Sequence, residues 1–250
     1  MYCVLYITYN LQLITYNLQQ LTTHQKNKKH IMKQKTLGLI HTSATLVPVF
    51  QQLIAETLPG INVFNIVDDS LIKDVINRGE LTPNTARRVV DYVGSAEAAG
   101  ADFIMVTCSS IGAAVETAAT LSKVPVLRVD QPMADVAVQT GKRIGVVATL
   151  PTTLGPTSDL VRRRAIAAGK EIELTSRLCE GAFEALMSGD AAKHDEMVAK
   201  ALKELSTQVD VIVLAQASMA RVVDTLEEAD KRVPILASPP QAVKHLASIL

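Results

Sequence analysis

The sequence lacks several features that would define a protein class at once. None of its 250 residues is Trp, 4% are aromatic, and the cysteines are limited to Cys3, Cys108 and Cys179. There is no CxxC pair and no Cys/His cluster at zinc spacing, which argues against a disulfide framework and a metal site. Such sparse cysteine usage best fits a reducing, cytoplasmic compartment.

Neither sign of charge is in excess. The 25 basic and 25 acidic side chains balance, so no global field would hold a polyanion, and we expect no nucleic-acid partner. No Gly-rich phosphate loop of the Walker or dinucleotide kind is present. We interpret the basic run at 162–164 as a solvated helix face.

Residues 1–31 do not resemble the remainder. They contain three lysines and no acidic residue, and the hexamer Ile-Thr-Tyr-Asn-Leu-Gln occurs twice, from Ile7 and from Ile14. Polar residues interrupt every apolar run, so neither a secretory signal nor a membrane span of about 20 apolar residues fits, and we expect no membrane partner. We interpret this segment as a disordered leader before a natural start at Met32; a targeting peptide is the alternative.

From Thr36 onward, short runs rich in Val and Ile alternate with longer stretches of helical period. This pattern is typical of parallel strands buried under crossover helices and predicts an α/β fold. The predicted strands are 37–41, 61–67, 103–107, 125–129, 144–149, 171–175, 211–215 and 234–237. Helix starts are predicted at Thr82-Pro83 and at Asp190, where a capping side chain precedes a helical run.

The chain also matches itself. Residues 102–112 align with 210–220 at a shift of 108, residues 124–127 with 233–236 at 109, and residues 37–42 with 144–149 at 107. Three blocks in one order imply a duplicated half. We predict a first domain of residues 32–131 plus 239–250 and a second of residues 132–238.

Ligands of open parallel sheets bind at the carboxyl ends of the strands, so two such sheets predict an interdomain cleft lined by equivalent loops. Thr42 and Thr149 follow the first strand of each half, and Cys108 and Gln216 follow a later one. The site should therefore be pseudo-symmetric.

Cys108 lies where a strand turns into a helix that begins near Ser109. The unpaired N–H groups of a helix start favour a thiolate and can bring the pKa of a thiol from about 8.5 toward neutrality. The same groups, with the hydroxyls of Ser109 and Ser110, are suited to a substrate carboxylate. The alternative is a buried space-filling cysteine, which is how we interpret Cys179.

Three segments resemble the aspartate/glutamate/hydantoin racemase family: Val-Thr-Cys-Ser-Ser at 106–110, Ile-Gly-Val-Val-Ala-Thr at 144–149 and Val-Leu-Ala-Gln-Ala-Ser-Met-Ala at 213–220. The resemblance spans nearly all of residues 32–250. It implies two flavodoxin-like, three-layer domains, each supplying one cysteine, with Thr149 as a contact for the substrate carboxylate. Gln216 stands where that family has its second cysteine.

Gln216 has no usable pKa, so it does not replace a proton-transferring thiol. Its amide can donate and accept hydrogen bonds, which suits it to a carboxylate or to the oxygen of an enolate. The alternative is a polar residue that only bonds backbone at the strand end. His41 is the candidate for a second acid or base at the mouth of the cleft, with a hydrogen-bonded structural histidine as the alternative.

Weaker candidates lie nearby. Thr152 and Thr153 follow Thr149 on a helix start, where helix capping is the alternative role. Asp68 and Asp69 follow a strand and are suited to a substrate ammonium group or to an N-cap.

These residues lead to one main hypothesis and two others. The main one is a cofactor-independent racemase or isomerase that acts at the α-carbon of a small carboxylic or amino acid through proton transfer by Cys108. Its further residues are Gln216 and His41 for catalysis and, for substrate binding, Thr42, Ser109, Ser110, Thr149 and Ser218. The others are a one-cysteine decarboxylase or cis/trans isomerase and a non-catalytic binder of small carboxylates. A homodimer is the default expectation.

Overall fold

Two parallel four-stranded sheets organise the computed structural model, which describes residues 34–250. The first sheet has the order β2-β1-β3-β4 and consists of β1 (Thr36–His41), β2 (Asn62–Val67), β3 (Phe103–Val106) and β4 (Val126–Arg128). The second has the order β6-β5-β7-β8 and consists of β5 (Arg143–Ala148), β6 (Glu173–Leu178), β7 (Val211–Leu214) and β8 (Ile235–Ala237). The interpretation of residues 1–31 as a leader lies outside the described residues.

Helices connect the strands and cover both sheets. Those of the first half and its boundary are α1 (Leu46–Thr57), α2 (Ser70–Arg78), α3 (Pro83–Ala98), α4 (Gly112–Leu121) and α5 (Gln131–Thr140). They are followed by α6 (Pro151–Ala167), α7 (Ala182–Met187), α8 (Ala191–Leu205), α9 (Ala220–Thr225) and α10 (Ser238–Ile249). Short 3₁₀ helices span Ser109–Ile111, Ala217–Met219 and Glu228–Asp230.

The α/β class and the duplicated architecture are confirmed. Both sheets are parallel, and their strand orders are the same when β5 is counted as the first strand of the second half. The central strands are apolar and buried, as sheets covered on both faces require. The repeat in the sequence therefore corresponds to a repeat in the fold.

One predicted strand is misplaced. The sequence predicts residues 171–175, but β6 spans Glu173–Leu178. This strand lies at the edge of its sheet, and its side chains are exposed or half-buried, so it carries no apolar run to mark its bounds. The remaining predicted strands agree with the structure to within one or two residues.

Both predicted helix starts are confirmed. The Thr82 hydroxyl accepts a hydrogen bond from the Thr85 amide at 3.2 Å, and Pro83 occupies the first helical position of α3. The Asp190 carboxylate accepts one from the Lys193 amide at 3.0 Å and caps α8. The helix predicted to begin near Ser109 begins there as a 3₁₀ turn and continues as α4 from Gly112.

The last helix of the described chain returns to the first sheet. Ala242, Val243 and Leu246 of α10 share a buried apolar cluster with Leu39 and Phe50. Helix α10 also packs on α5, whose own buried side chains face the second sheet. The two halves are thus joined by a helix pair, and they belong to one structural unit, Lys35–Leu250.

The division into domains at residues 131/132 and 238/239 stays a prediction. Within residues 34–250, no helix combines the length and the apolar character needed to cross a membrane.

Candidate functional site

Polar side chains lie at the carboxyl ends of the two central strands of each sheet. In the first sheet Thr42 follows β1 and Cys108 follows β3, and these strands are neighbours. In the second sheet Thr149 follows β5 and Gln216 follows β7, which are neighbours as well. Each half therefore brings one threonine close to the residue at the second strand end.

Cys108 is half-buried and sits between β3 and the 3₁₀ helix Ser109–Ile111. Its sulfur accepts hydrogen bonds from the hydroxyls of Thr42 and Ser110 and from the backbone N–H groups of Ser110 and Ile111. These donors come from the strand-to-helix turn and from the neighbouring strand end. The thiol is thus surrounded by groups that stabilise negative charge, and the residue as a whole is half-buried.

The expected direction of the Cys108 pKa shift is wrong. Burial raises the pKa of this thiol above its ordinary value, although the hydrogen bonds from Thr42, Ser110 and Ile111 act to lower it. Desolvation of the thiolate outweighs the donors of the helix start. At neutral pH Cys108 therefore carries its proton.

Gln216 has the same local backbone as Cys108. The two residues have φ/ψ of −131°/137° and −134°/121°, and each precedes a three-residue 3₁₀ helix. Gln216 Oε1 accepts hydrogen bonds from the Thr149 backbone N–H at 2.6 Å and from the Thr149 hydroxyl at 3.0 Å. The pairing of Thr42 with Cys108 thus recurs as the pairing of Thr149 with Gln216.

The Thr149 amide fixes the orientation of the Gln216 side chain. A backbone N–H only donates, so the oxygen of the side-chain amide must face it, and the NH₂ group lies on the other side. Within residues 34–250 this NH₂ has no hydrogen-bond partner. The oxygen of Gln216 therefore fills the backbone-bonding role considered for this residue, and its NH₂ group forms no hydrogen bond with another described residue.

A hydrogen bond joins the two halves beside these residues. Ser110 Oγ lies 2.9 Å from Thr153 Oγ1, and both side chains are buried. Ser110 also contacts the Cys108 sulfur, and Thr153 lies in the first turn of α6, four residues after Thr149. The strand-end loops of the two halves therefore lie next to each other.

The α6 helix start does not use its threonines as caps. Leu150 is the N-cap and makes no side-chain hydrogen bond. In the described part of the chain the buried hydroxyl oxygens of Thr152 and Thr157 have no partner, while Thr153 bonds Ser110. Two buried hydroxyls on this helix are thus available to bind a polar ligand or water.

His41 is not at the mouth of a cleft. Its side chain is fully buried, with Nδ1 2.9 Å from Thr107 Oγ1 and Nε2 2.9 Å from Asn65 Oδ1. Burial lowers the pKa of His41, and the hydrogen bond with Asn65 offsets this only in part. Both ring nitrogens are occupied, which matches the structural alternative; a catalytic role for His41 stays a prediction.

The other predicted contacts lie in different settings. Ser109 is buried beside Cys108, whereas Ser218 is exposed on the 3₁₀ helix after Gln216. Asp68 accepts hydrogen bonds from Ser70, Tyr92 and Arg88. Burial acts to raise the Asp68 pKa, but these partners outweigh it and the net pKa is lowered.

Asp68 is therefore already neutralised by Arg88, which weakens its assignment to a substrate ammonium group. Asp69 is exposed, pairs with Lys73 at 2.5 Å, and occupies the N-cap position of α2 without a side-chain capping bond. Cys179 is buried in an apolar cluster, and burial raises its pKa to about 11, consistent with a filler role. Across residues 34–250 there is no group of three or more His, Cys, Asp or Glu side chains that could hold a metal ion.

Sequence reasoning missed an ion-pair network next to this site. Glu116 of α4 pairs with Arg128 and with Arg163, and Arg164 pairs with Asp135. Arg162 and Arg163 are exposed and Arg164 is half-buried, as expected for a solvated helix face, but Arg163 and Arg164 also form ion pairs with other helices. The sequence signal for Arg163 was limited to Asp159, four residues earlier on the same helix.

Solved structures with the same fold include several racemases. A glutamate racemase from Bacillus anthracis superposes with a TM-score of 0.67 at 19% identity, covering 87% of this chain and 82% of that one. Aspartate racemase from Picrophilus torridus gives 0.66 at 14%, with 86% and 94% covered. Allantoin racemase from Klebsiella pneumoniae gives 0.63 at 17%, with 86% and 87% covered. At these identities the likeness establishes the fold.

No curated protein matches the chain by sequence. The family model for Asp/Glu/hydantoin racemase matches residues 32–246, which include both strand-end loops of each half. The chain therefore belongs to the Asp/Glu/hydantoin racemase family.

Proposed function

We propose that this protein catalyses proton transfer at the α-carbon of a small carboxylic or amino acid, with Cys108 as the acid/base. The observation that carries the proposal is the setting of Cys108. A half-buried thiol accepts hydrogen bonds from Thr42, Ser110 and Ile111 and lies beside the contact between the two halves. Donor groups from two neighbouring strand ends around one sulfur favour a chemical role over space filling.

The chemistry begins with a thiolate. Cys108, which is protonated at neutral pH, first releases its proton to solvent water. The thiolate sulfur then accepts the α-proton of the substrate while the electron pair of the C–H bond moves onto the substrate carboxyl oxygens, and a proton returned from the sulfur to the α-carbon completes the turnover. Thr42 and the N–H groups of Ser110 and Ile111 stabilise the thiolate that starts this step. Because burial holds the Cys108 pKa up, the sulfur is also basic enough to hold the proton it takes.

The second half supplies hydrogen-bond donors for the charge that develops. The NH₂ group of Gln216 is oriented by Thr149 and can donate to the enolate oxygen, a contribution of about 3 to 4 kcal/mol for one well-placed donor. The hydroxyls of Thr152, Ser109 and the exposed Ser218 are the further candidates for the substrate carboxylate, whereas the Thr149 hydroxyl would have to leave Gln216 Oε1 to join them. A proton transfer of this kind needs no cofactor.

The missing second thiol decides between reaction types. Racemisation by two bases requires a proton-exchanging group on each side of the α-carbon, and Gln216 is unable to exchange one at neutral pH. This residue favours a one-base reaction, such as decarboxylation followed by protonation on one face or cis/trans isomerisation through the thiol. A non-catalytic carboxylate binder is the remaining alternative.

The test has two stages. A thermal-shift screen of small carboxylates first identifies ligands, because binding stabilises the native state by mass action whatever the chemistry. The ligands are then incubated with the protein in D₂O, and deuterium at the α-carbon and its configuration are measured. Exchange with inversion supports racemisation, and exchange with retention supports a one-sided base.

Cys108→Ala is the matched control for this experiment. It should still bind the ligands in the thermal-shift screen while losing deuterium exchange. If wild-type protein binds carboxylates but exchanges no α-proton and forms no decarboxylated or isomerised product, the binder alternative replaces the proposed reaction.

A further inference from the structure

The carboxylate of Glu116 is shared by two arginines from different halves of the molecule. Its Oε1 accepts hydrogen bonds from Arg128 Nη1 at 2.5 Å and Arg163 Nη2 at 3.0 Å, and its Oε2 accepts one from Arg163 Nη1 at 3.1 Å. Glu116 lies on α4 and Arg128 ends β4, whereas Arg163 lies on α6 after the first strand of the second sheet. The Glu116–Arg163 pair is thus a two-bond bridge across the halves.

Arg128 is held rigidly behind Glu116. Its side chain is 3% exposed and forms two hydrogen bonds with the fully buried Asp130, Nε to Oδ1 at 3.0 Å and Nη2 to Oδ2 at 2.8 Å. A buried charge pair of this kind often adds little to stability, because desolvation costs as much as the attraction returns. Its rigidity, however, gives Glu116 a fixed partner.

The Arg128 guanidinium packs directly against the start of α4. A Cβ placed on Gly112 would lie 2.2 Å from Arg128 Cζ and 2.3 Å from Nη2, closer than real atoms approach. Gly112 follows Ile111, whose N–H donates to the Cys108 sulfur. The Asp130–Arg128–Glu116 row therefore supports the helix start that surrounds the thiol.

The bridge and the Ser110–Thr153 hydrogen bond connect the same two segments. Each links the 3₁₀ helix and α4 of the first half to α6 of the second. Along the chain, Ser110 is next to the thiol donors, and Thr153 is next to Thr149, which orients Gln216. Two contacts between the same segments restrict both the distance and the angle between them.

We propose that Glu116 is a positioning residue: by binding Arg128 and Arg163 together, it sets the separation between the Cys108 loop and the Thr149–Gln216 loops. This inference rests on the proposed function, since it assigns to the two loops opposite sides of one substrate. A displacement of about 1 Å between reacting groups can reduce a rate by on the order of 10²-fold.

Arg163→Gln is the test variant, because it removes the cross-half bridge and leaves the contacts of Arg128 with Glu116 and with Asp130 in place. Asp159→Asn is the control, since Asp159 pairs with Arg163 at 2.7 Å within α6. We expect kcat of Arg163→Gln to fall about tenfold or more with KM changed less than about threefold, and Arg163→Lys to recover part of the loss.

Salt provides a second readout. Glu116 and Arg163 are partly exposed, so added salt should screen their attraction and lower kcat of the wild type toward that of Arg163→Gln, which should itself respond less. If the Glu116–Arg163 bridge had a purely structural role, Arg163→Gln would change the unfolding midpoint but would not lower kcat while leaving KM nearly unchanged. Equal kcat in Arg163→Gln, Asp159→Asn and wild type would overturn the proposal.

Amide hydrogen exchange separates failure of this inference from failure of the proposed function. If no carboxylate is turned over, the bridge is still tested by the exchange rates of the Ser110, Ile111 and Thr153 amides. Faster exchange at these amides in Arg163→Gln than in Asp159→Asn supports a positioning role, and unchanged exchange contradicts it.

Discussion

The two halves of the molecule share a backbone but differ in the side chains at the same places. Their strand orders match, and Cys108 and Gln216 have closely similar φ and ψ before equivalent 3₁₀ helices. In each half a threonine after the first strand bonds the residue after the third. Duplication has thus preserved the framework of the site, while its chemistry depends on single positions.

The difference extends along the whole strand edge. Asp68 donates its backbone N–H to His41 O at 3.0 Å, and Cys179 donates its own to Ala148 O at 2.8 Å, so these pairs occupy equivalent positions. The first half therefore has a histidine and an aspartate where the second has an alanine and a buried cysteine. At these strand ends the titratable side chains His41, Asp68 and Cys108 belong to the first half, whereas the second half has Thr149 and Gln216 together with the buried Cys179.

The largest effect is expected from removing the thiol of the first half. Cys108→Ala should reduce turnover by about 10³-fold, since a positioned acid/base contributes about 10²- to 10⁴-fold. Cys179→Ala is the control, because that thiol lies in an apolar cluster. Steady-state kinetics with circular dichroism would check both rate and fold, and a folded Cys108→Ala with near wild-type rate would refute the assignment.

Removing the donor of the second half should have a smaller effect. Gln216→Ala is expected to reduce kcat about 10²-fold through loss of an enolate donor. Thr149→Val tests the orientation of Gln216, because it deletes the 3.0 Å hydroxyl contact and keeps the 2.6 Å backbone contact. Its loss in kcat should be clearly smaller than that of Gln216→Ala; equal losses would mean that Thr149 itself contacts the substrate.

A third variant makes the halves alike. Gln216→Cys places a second thiol at the position equivalent to Cys108, where it can exchange a proton with the opposite face. Exchange with inversion in D₂O should rise about tenfold, less than an optimised acid/base would give. Gln216→Ser is the matched control, since its hydroxyl is a far weaker acid. No gain in inversion with Gln216→Cys would show that the two loops do not face the same carbon.

The smallest effect is expected from replacing His41, and it concerns the stability of the fold and how that stability falls at acidic pH. Because burial lowers the His41 pKa, the unfolded chain binds a proton near pH 6.5 while the native chain does not, so stability is lost as pH falls below that value. His41→Ala should unfold about 1 to 3 kcal/mol more easily at pH 7, because Thr107 and Asn65 lose a partner.

The loss of stability between pH 7 and pH 5 should be smaller in His41→Ala than in the wild type, as measured by denaturant unfolding. Catalysis gives the complementary readout. Retained kcat in folded His41→Ala would establish a structural role, whereas a large loss of kcat would restore His41 as an acid or base.

Much of the fold was predictable because a buried parallel strand is marked by a short run of apolar residues that are consecutive in the sequence. β1, β3, β5 and β7 are short apolar runs, and the internal repeat placed Cys108 opposite Gln216 without any structure. The contacts within each half follow from neighbouring strands. The polar edge strand β6 has no such apolar run, and its predicted bounds were therefore misplaced.

The parts of the site that were not predictable depend on contacts between distant segments. The Ser110–Thr153 and Glu116–Arg163 pairs cross from one half to the other, and a repeat does not encode how its copies pack. The hydrogen bonds of the buried His41 depend on Asn65, which lies within β2, and on Thr107, which follows β3. The direction of the Cys108 pKa shift depends on the balance between desolvation and donors, which spacing alone does not give.

The return of α10 to the first sheet has a consequence for synthesis on the ribosome. Ala242, Val243 and Leu246 complete the apolar cluster that contains Leu39 and Phe50, yet they are translated after every strand of both sheets. The nascent amino-terminal half therefore leaves the ribosome with this face of its sheet covered by α1 but not by α10. The second half has already been made before that cluster is complete, so the apolar side chains that α10 covers stay exposed to solvent until synthesis ends.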